Sequence, residues 1–93
     1  MATVTIYTTQ FCPYCMAAKQ LLSRLEIEFD EIGLDGRREQ RRELSESNGG
    51  WRTVPMVFIG DIFIGGFDEL NTLARQGNLE ALLTAAAEAT TGP

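Results

Sequence analysis

Histidine is absent from the 93-residue sequence, which removes imidazole acid–base chemistry and a principal ligand of tetrahedral metal sites. Cysteine occurs only twice, short of the four Cys or His ligands that a zinc site usually takes from one chain, so no resident metal is expected. Long apolar runs are also missing. The longest stretches, such as Val54 to Gly60 interrupted by Pro55, fall far below the ~18 consecutive apolar residues of a membrane-spanning helix. The opening Met1-Ala2-Thr3-Val4-Thr5-Ile6 has neither the basic nor the long apolar segment of a secretory signal. No membrane partner is expected, and a cytoplasmic location is. Cations are in the minority, eight Lys and Arg against thirteen acids for a net charge of −5, whereas a nucleic-acid partner calls for clustered positive charge. Any catalysis must run on sulfur or carboxylates.

What is present is ordinary globular composition, 44% apolar and 23% charged, at a length that suits a single domain over residues 1–93. Charge is unevenly spread. Five acids and no cation fall between Glu26 and Asp35, while five of the eight cations are arginines between Arg37 and Arg52. Thr3 to Thr8 alternates and is rich in β-branched residues, which predicts a strand. Pro13 then marks a helix start, and Tyr14, Ala18, Leu21, Leu22 and Leu25 form one apolar stripe at helical spacing. Ile27 to Leu34 alternates apolar residues with acids and predicts a second strand, parallel to the first in a β-α-β unit. Residues 37–47 are helix formers almost without an apolar face, giving an exposed helix stopped by Asn48-Gly49-Gly50. Val54–Ile59 and Ile62–Ile64 flank Gly60-Asp61 as a hairpin. Asp68 or its neighbourhood can cap a helix carrying Phe67, Leu70, Leu73 and Ala74. Gly77 stops that helix and Asn78 opens a last one with Leu79, Leu82, Leu83 and Ala86. Only the tail from Thr90 to Pro93 is expected to fray.

Cys12-Pro13-Tyr14-Cys15 is the strongest chemical signal, because a C-x-x-C at a strand-to-helix junction of a β-α-β unit is the setting of redox-active dithiols. A helix amino end offers free N–H groups and the positive end of a dipole, which favour a thiolate at Cys12. Cys15, one turn deeper, should be shielded and able to close a disulfide with it. A structural disulfide, two inert buried thiols or half of a shared metal site are the competing readings. A short loop at a helix start gains little from a permanent bridge, so the redox reading is preferred. Thr53-Val54-Pro55 is open to two readings. Pro55 either simply begins an apolar strand, or is a cis proline that turns the backbone of Val54 outward to pair with an extended ligand. Gly65-Gly66-Phe67-Asp68 is either a hairpin exit with a helix cap or a backbone cradle for a carboxylate. The arginines of 37–52 are either a solvated face or a hold on a second carboxylate.

With Ile6-Tyr7-Thr8, Cys12-Pro13-Tyr14-Cys15 followed by Ala18-Lys19, Asp35-Gly36, Arg52-Thr53-Val54-Pro55, Val57-Phe58-Ile59, and Ile64-Gly65-Gly66 with Asp68 and Leu70, nearly the whole chain resembles the glutaredoxins of the short dithiol type. The resemblance implies an α/β thioredoxin fold, a four-stranded mixed sheet in β-α-β-α-β-β-α-α order flanked by helices. It implies a glutathione-dependent thiol-disulfide oxidoreductase, with glutathione as cosubstrate and no tightly bound cofactor. Cys12 would be the nucleophile and Cys15 the resolving thiol, with Pro13 and Tyr14 lining the sulfur. Thr53, Val54 and Pro55 would receive the cysteinyl part of glutathione, Gly66, Phe67 and Asp68 its γ-glutamyl end, and Arg41 its glycyl carboxylate. Expected substrates are glutathionylated or disulfide-containing proteins, ribonucleotide reductase among them, acted on by a monomer. Relatives often carry a basic residue shortly before the motif, where this chain has Thr8, Thr9 and Gln10, and often a cysteine where it has Phe67. Trp51 is read as a loop packing anchor. Two rivals accompany this reading: a redoxin reduced by a thioredoxin-type reductase, against which the arginines and Gly65-Gly66 weigh, and a [2Fe–2S] cluster shared by two chains, against which the bulky Pro13 and Tyr14 weigh.

Overall fold

The computed structural model describes residues 3–91. Their elements are β1 (Val4–Thr8), α1 (Pro13–Arg24), β2 (Phe29–Gly33), α2 (Arg38–Ser47), β3 (Met56–Ile59), β4 (Ile62–Gly65), α3 (Phe67–Arg75) and α4 (Leu79–Thr91). This is the expected order. The strands form one mixed sheet, β2-β1-β3-β4. β1 is parallel to β2, in register from Val4 opposite Phe29 to Thr8 opposite Gly33, and antiparallel to β3. The β3–β4 hairpin turns through Gly60-Asp61, pairing Ile59 with Ile62. The parallel pair forces a crossover, which α1 supplies, and so Cys12 comes to stand at the carboxyl end of the central strand.

Alternation in β1 sends Val4, Ile6 and Thr8 to one buried face. Val4 and Ile6 join Ala18 and Leu22 of α1, Val57 and Ile59 of β3, Leu70 of α3 and Leu79 of α4 in the core. The stripe of α1 is narrower than the sequence suggests. Cys15, Ala18 and Leu22 are buried and Leu21 partly so, whereas Tyr14 is 63% and Leu25 45% exposed. Leu25 lies beyond the last helical residue, and Tyr14 lies in the first turn, where its ring meets Phe67 instead of the core. As expected, α2 has no buried residue.

Boundaries differ from the sequence reading where chemistry intervenes. β3 opens at Met56, so Thr53, Val54 and Pro55 lie outside the ladder. α3 is capped at Gly66, whose N–H donates to Glu69 Oε1 at 2.9 Å, so Asp68 sits in the first turn. Gly65 just before has φ 123°, and a Cβ there would lie 2.9 Å from Cγ of that same Glu69. Glycine is required for the hairpin to hand over to the helix so closely. Thr90 and Thr91, expected to fray, are helical; Gly92, Pro93 and the side chain of Ala86 lie outside the described residues, as do Met1 and Ala2. No helix among the described residues is long and apolar enough to cross a membrane.

The contrast within α1 gives a test. Truncating buried Leu22 to Ala should cost about 3 kcal/mol, in the usual range of core Leu→Ala changes, while Leu25→Ala should cost under about 1 kcal/mol. Urea denaturation of the two variants measures both.

Candidate active site

The chain leaves β1 through Thr9, Gln10 and Phe11 and reverses at Phe11, which adopts φ 57° and is 97% exposed. A non-glycine residue in this left-handed region is uncommon. The loop is tethered from the far side, since the Gln10 N–H donates to Asp35 Oδ2 at 2.9 Å. Cys12 then takes the N-cap position of α1 in an extended conformation, and Pro13 follows where its missing N–H costs nothing. The Cys15 N–H donates to Cys12 Sγ at 3.1 Å. A sulfur placed there faces the positive end of the helix dipole and one of the otherwise unpaired N–H groups.

On its other side Cys12 Sγ lies 3.6 Å from the Val54 carbonyl oxygen, to which its thiol donates. The Val54-Pro55 peptide bond is cis, which decides the bond geometry that the sequence left open. Pro55 is buried, Val54 half-buried and Thr53 exposed. Gly66 backs onto the same turn: a Cβ on it would stand 3.5 Å from the Pro55 carbonyl oxygen and 3.5 Å from Trp51 Cζ2. Phe67 reaches Tyr14 with ring centroids 6.4 Å apart. The structure thus brings Cys12, Tyr14, Val54, Pro55, Gly66 and Phe67 together from three separate stretches of chain. Asp68 is exposed one residue further along α3. Arg41 does not touch the cysteines; its guanidinium donates to the Arg52 carbonyl at 3.2 Å and so stands beside Thr53. Trp51 is a packing anchor as expected, edge-on to Phe63 at 5.3 Å, with its indole N–H buried and unpaired among the described residues.

Both cysteines are free thiols, Cys12 half-buried and Cys15 2% exposed. The Cys15 thiol is pushed up to about 12, first by burial and then by its side-chain hydrogen bond to Cys12. It is therefore a protonated thiol at neutral pH, shielded as the sequence predicts. Among the described residues no group of three or more His, Cys, Asp and Glu is placed to hold a metal ion. Sequence reasoning missed two supports of the site: the left-handed Phe11, for which no residue type gave a signal, and the Asp35 tether, since Asp35 reads locally as an ordinary turn residue.

The glutaredoxin family model matches residues 4–64. The chain belongs to the glutaredoxin family. It is 51% identical over 85 residues to the glutaredoxin of Pseudomonas aeruginosa, covering 91% of this chain and 100% of the relative. Its fold superposes with a TM-score of 0.79 on the solution structure of glutaredoxin from Brucella melitensis, at 44% identity and 89% coverage of both chains. On the crystal structure of a buckwheat glutaredoxin–glutathione complex the TM-score is 0.84, at 31% identity, covering 92% of this chain and 80% of the other. The family resemblance, the thioredoxin fold and the activity read from the sequence are all borne out. The protein is a glutathione-dependent thiol-disulfide oxidoreductase that uses glutathione as substrate and carries the dithiol, Cys12 and Cys15, that the chemistry needs.

The buried Cys15 ties stability to pH. Folding raises its pKa from the ordinary 9.0 to about 12, so the folded protein holds this proton more tightly than the unfolded chain does. That contribution is complete below about pH 9 and is lost as pH climbs towards about 12. Reduced wild-type protein should lose stability across this window more steeply than Cys15→Ser, by up to about one proton in the pH slope. Urea titrations at increasing pH under a thiol reductant measure the difference.

Proposed function

We propose that Cys12 is the nucleophile and Cys15 the resolving thiol of a one-domain, monomeric, cytoplasmic glutaredoxin acting on glutathionylated and disulfide-containing proteins, a class that includes ribonucleotide reductase. The observation that carries this reading is the pair of contacts on one sulfur. Cys12 Sγ accepts the Cys15 N–H at 3.1 Å and lies against the Val54 carbonyl at 3.6 Å. The first contact favours negative charge on the attacking atom; the second places that atom at the edge of an exposed peptide segment.

Glutathione fits the surrounding groups by its own chemistry. Thr53 and Val54 stand outside the β3 ladder, and the backbone of Val54 can pair with the cysteinyl portion as an extended strand would. Pro55 closes the wall behind it. At the start of α3, the backbone N–H groups of Phe67 and Asp68 next to Gly66 suit the γ-glutamyl carboxylate, and the Asp68 carboxylate suits its amine. Arg41, held by one nitrogen to the Arg52 carbonyl, has other donors of its fork without a partner among the described residues and available to the glycyl carboxylate. Pro13 and Tyr14 line the approach to the sulfur, with Tyr14 63% exposed. The buckwheat relative, a glutathione complex, shares this fold.

In the one-cysteine route, Cys12 thiolate attacks the glutathionyl sulfur of a mixed disulfide, the protein thiol leaves, and a second glutathione releases the enzyme as glutathione disulfide. In the two-cysteine route, Cys12 attacks a protein disulfide and Cys15 displaces the second half. An assay coupling glutathione, glutathione reductase and a mixed-disulfide substrate tests the assignment. Cys15→Ser should keep most deglutathionylation while losing protein-disulfide reduction, and Cys12→Ser should lose both. Equal loss in the two variants would refute these roles. Asp68→Asn should raise the KM for glutathione by roughly ten-fold, the loss of one charge-assisted contact, with little change in kcat.

A further inference from the structure

A cavity of about 350 Å³ opens beside the cysteines, with no residue of the Val54 turn in its lining, and is lined by both sulfur residues together with Thr8, Lys19, Glu31 and Asp35. Three bonds organise it. Lys19 Nζ meets both carboxylate oxygens of Glu31, at 3.0 and 3.2 Å, and the hydroxyl of Thr8, a 3% exposed residue, donates to Glu31 Oε2 at 2.7 Å. The Thr8 hydroxyl and Lys19 hold the Glu31 carboxyl below the usual carboxylate range, so this anion persists wherever the protein works. Thr8 is fixed by its place in β1, Glu31 by its place in β2. The ammonium is thereby held in a set direction although its stem is partly exposed. Lys19 lies one helical turn from Cys15 on the same face of α1, a spacing that puts side chains about 5–6 Å apart at Cβ.

We propose that Lys19 is a positioning residue for the second step of the two-cysteine route, its charge held beside the Cys15 sulfur by Glu31 and Thr8 so that the thiolate forms there when the substrate must be displaced. The inference rests on the assignment of Cys15 as the resolving thiol. In that step the Cys15 thiol gives its proton to a water or buffer base in the cavity, and the resulting thiolate attacks Cys12 Sγ. The Cys12–Cys15 bond forms as the bond from Cys12 to the substrate sulfur breaks. The substrate leaves as a thiolate that takes up a proton, reduced by two electrons, and two glutathione molecules later restore the dithiol.

Without help the step is slow, because burial keeps the Cys15 proton in place and the sequence contains no histidine to remove it. The titratable groups sharing the cavity with Cys15 are Cys12, Lys19, Glu31 and Asp35. Of these only Lys19 brings positive charge. Asp68 and Glu69 of α3, which packs against α1, line a separate cavity. The one-cysteine route never deprotonates Cys15 and has no use for this device.

The two routes provide the test. Reduction of a protein disulfide and deglutathionylation are measured side by side, with glutathione and glutathione reductase, for wild type, Lys19→Met, Lys19→Arg and Cys15→Ser over neutral to mildly alkaline pH. A unit charge carried one helical turn away, partly offset by Glu31 and screened by water, changes the thiolate population roughly three- to ten-fold. Lys19→Met should therefore lower kcat for disulfide reduction by roughly that factor at neutral pH, move its pH profile to higher pH, and leave deglutathionylation unchanged. Lys19→Arg should restore both rate and profile. Equal losses in the two assays, no loss in either, or failure of arginine to restore the profile would overturn the proposal. If Cys15→Ser itself reduces the protein disulfide as well as wild type, the resolving role of Cys15 fails and this proposal with it.

Discussion

The Cys15 N–H directed onto the Cys12 sulfur, at 3.1 Å, is the constraint around which the molecule is arranged. It exists only because a helix begins one residue after Cys12, and the helix begins there because Pro13 can open it without wasting a donor. The same geometry separates two chemically identical side chains. Cys12 stays half-buried at the cap, whereas Cys15 rotates inward to the core side with Ala18 and Leu22. One turn of helix is enough to give the two thiols different surroundings.

The sheet supplies the second wall. Because β1 lies between a parallel and an antiparallel neighbour, the carboxyl ends of β1 and β2 and the start of β3 meet at one edge of the molecule. The loops at that edge carry the reactive sulfur, Asp35 and the Thr53–Pro55 turn respectively. The β3–β4 hairpin then returns Gly66 to the Pro55 carbonyl, so that the fourth loop closes against the third. Backbone groups and side chains from several elements thus stand side by side at that edge.

Much of this was legible in the residues. The alternation of β1, the Gly60-Asp61 hairpin and the polar α2 were all read with the elements in their observed order, because each depends on local chemistry. The dithiol motif was legible for the same reason. What was not legible depends on distant partners. Tyr14 belongs by spacing to the apolar stripe of α1, yet Phe67, 53 positions away, takes it to the surface of the site. The strand read from Val54 starts only at Met56, because the residues before it turn towards Cys12. The cap of α3 falls at Gly66, inside the Gly65-Gly66-Phe67-Asp68 stretch read as a hairpin exit with a helix cap, but the Glu69 side chain that reaches back to it was not legible. That contact requires Gly65 to lack a side chain. Likewise Lys19, Glu31 and Thr8 are unremarkable in sequence and become a unit only when β1, β2 and α1 are side by side.

Trp51 is the sole tryptophan of the sequence, and its ring is wedged between Phe63 and the backbone of Gly66. The indole thus looks onto the backbone at the start of α3, while its own N–H has found no acceptor among the described residues. The molecule consequently carries a single built-in chromophore against the Gly66 backbone, whose emission reports on the packing of that corner without any label.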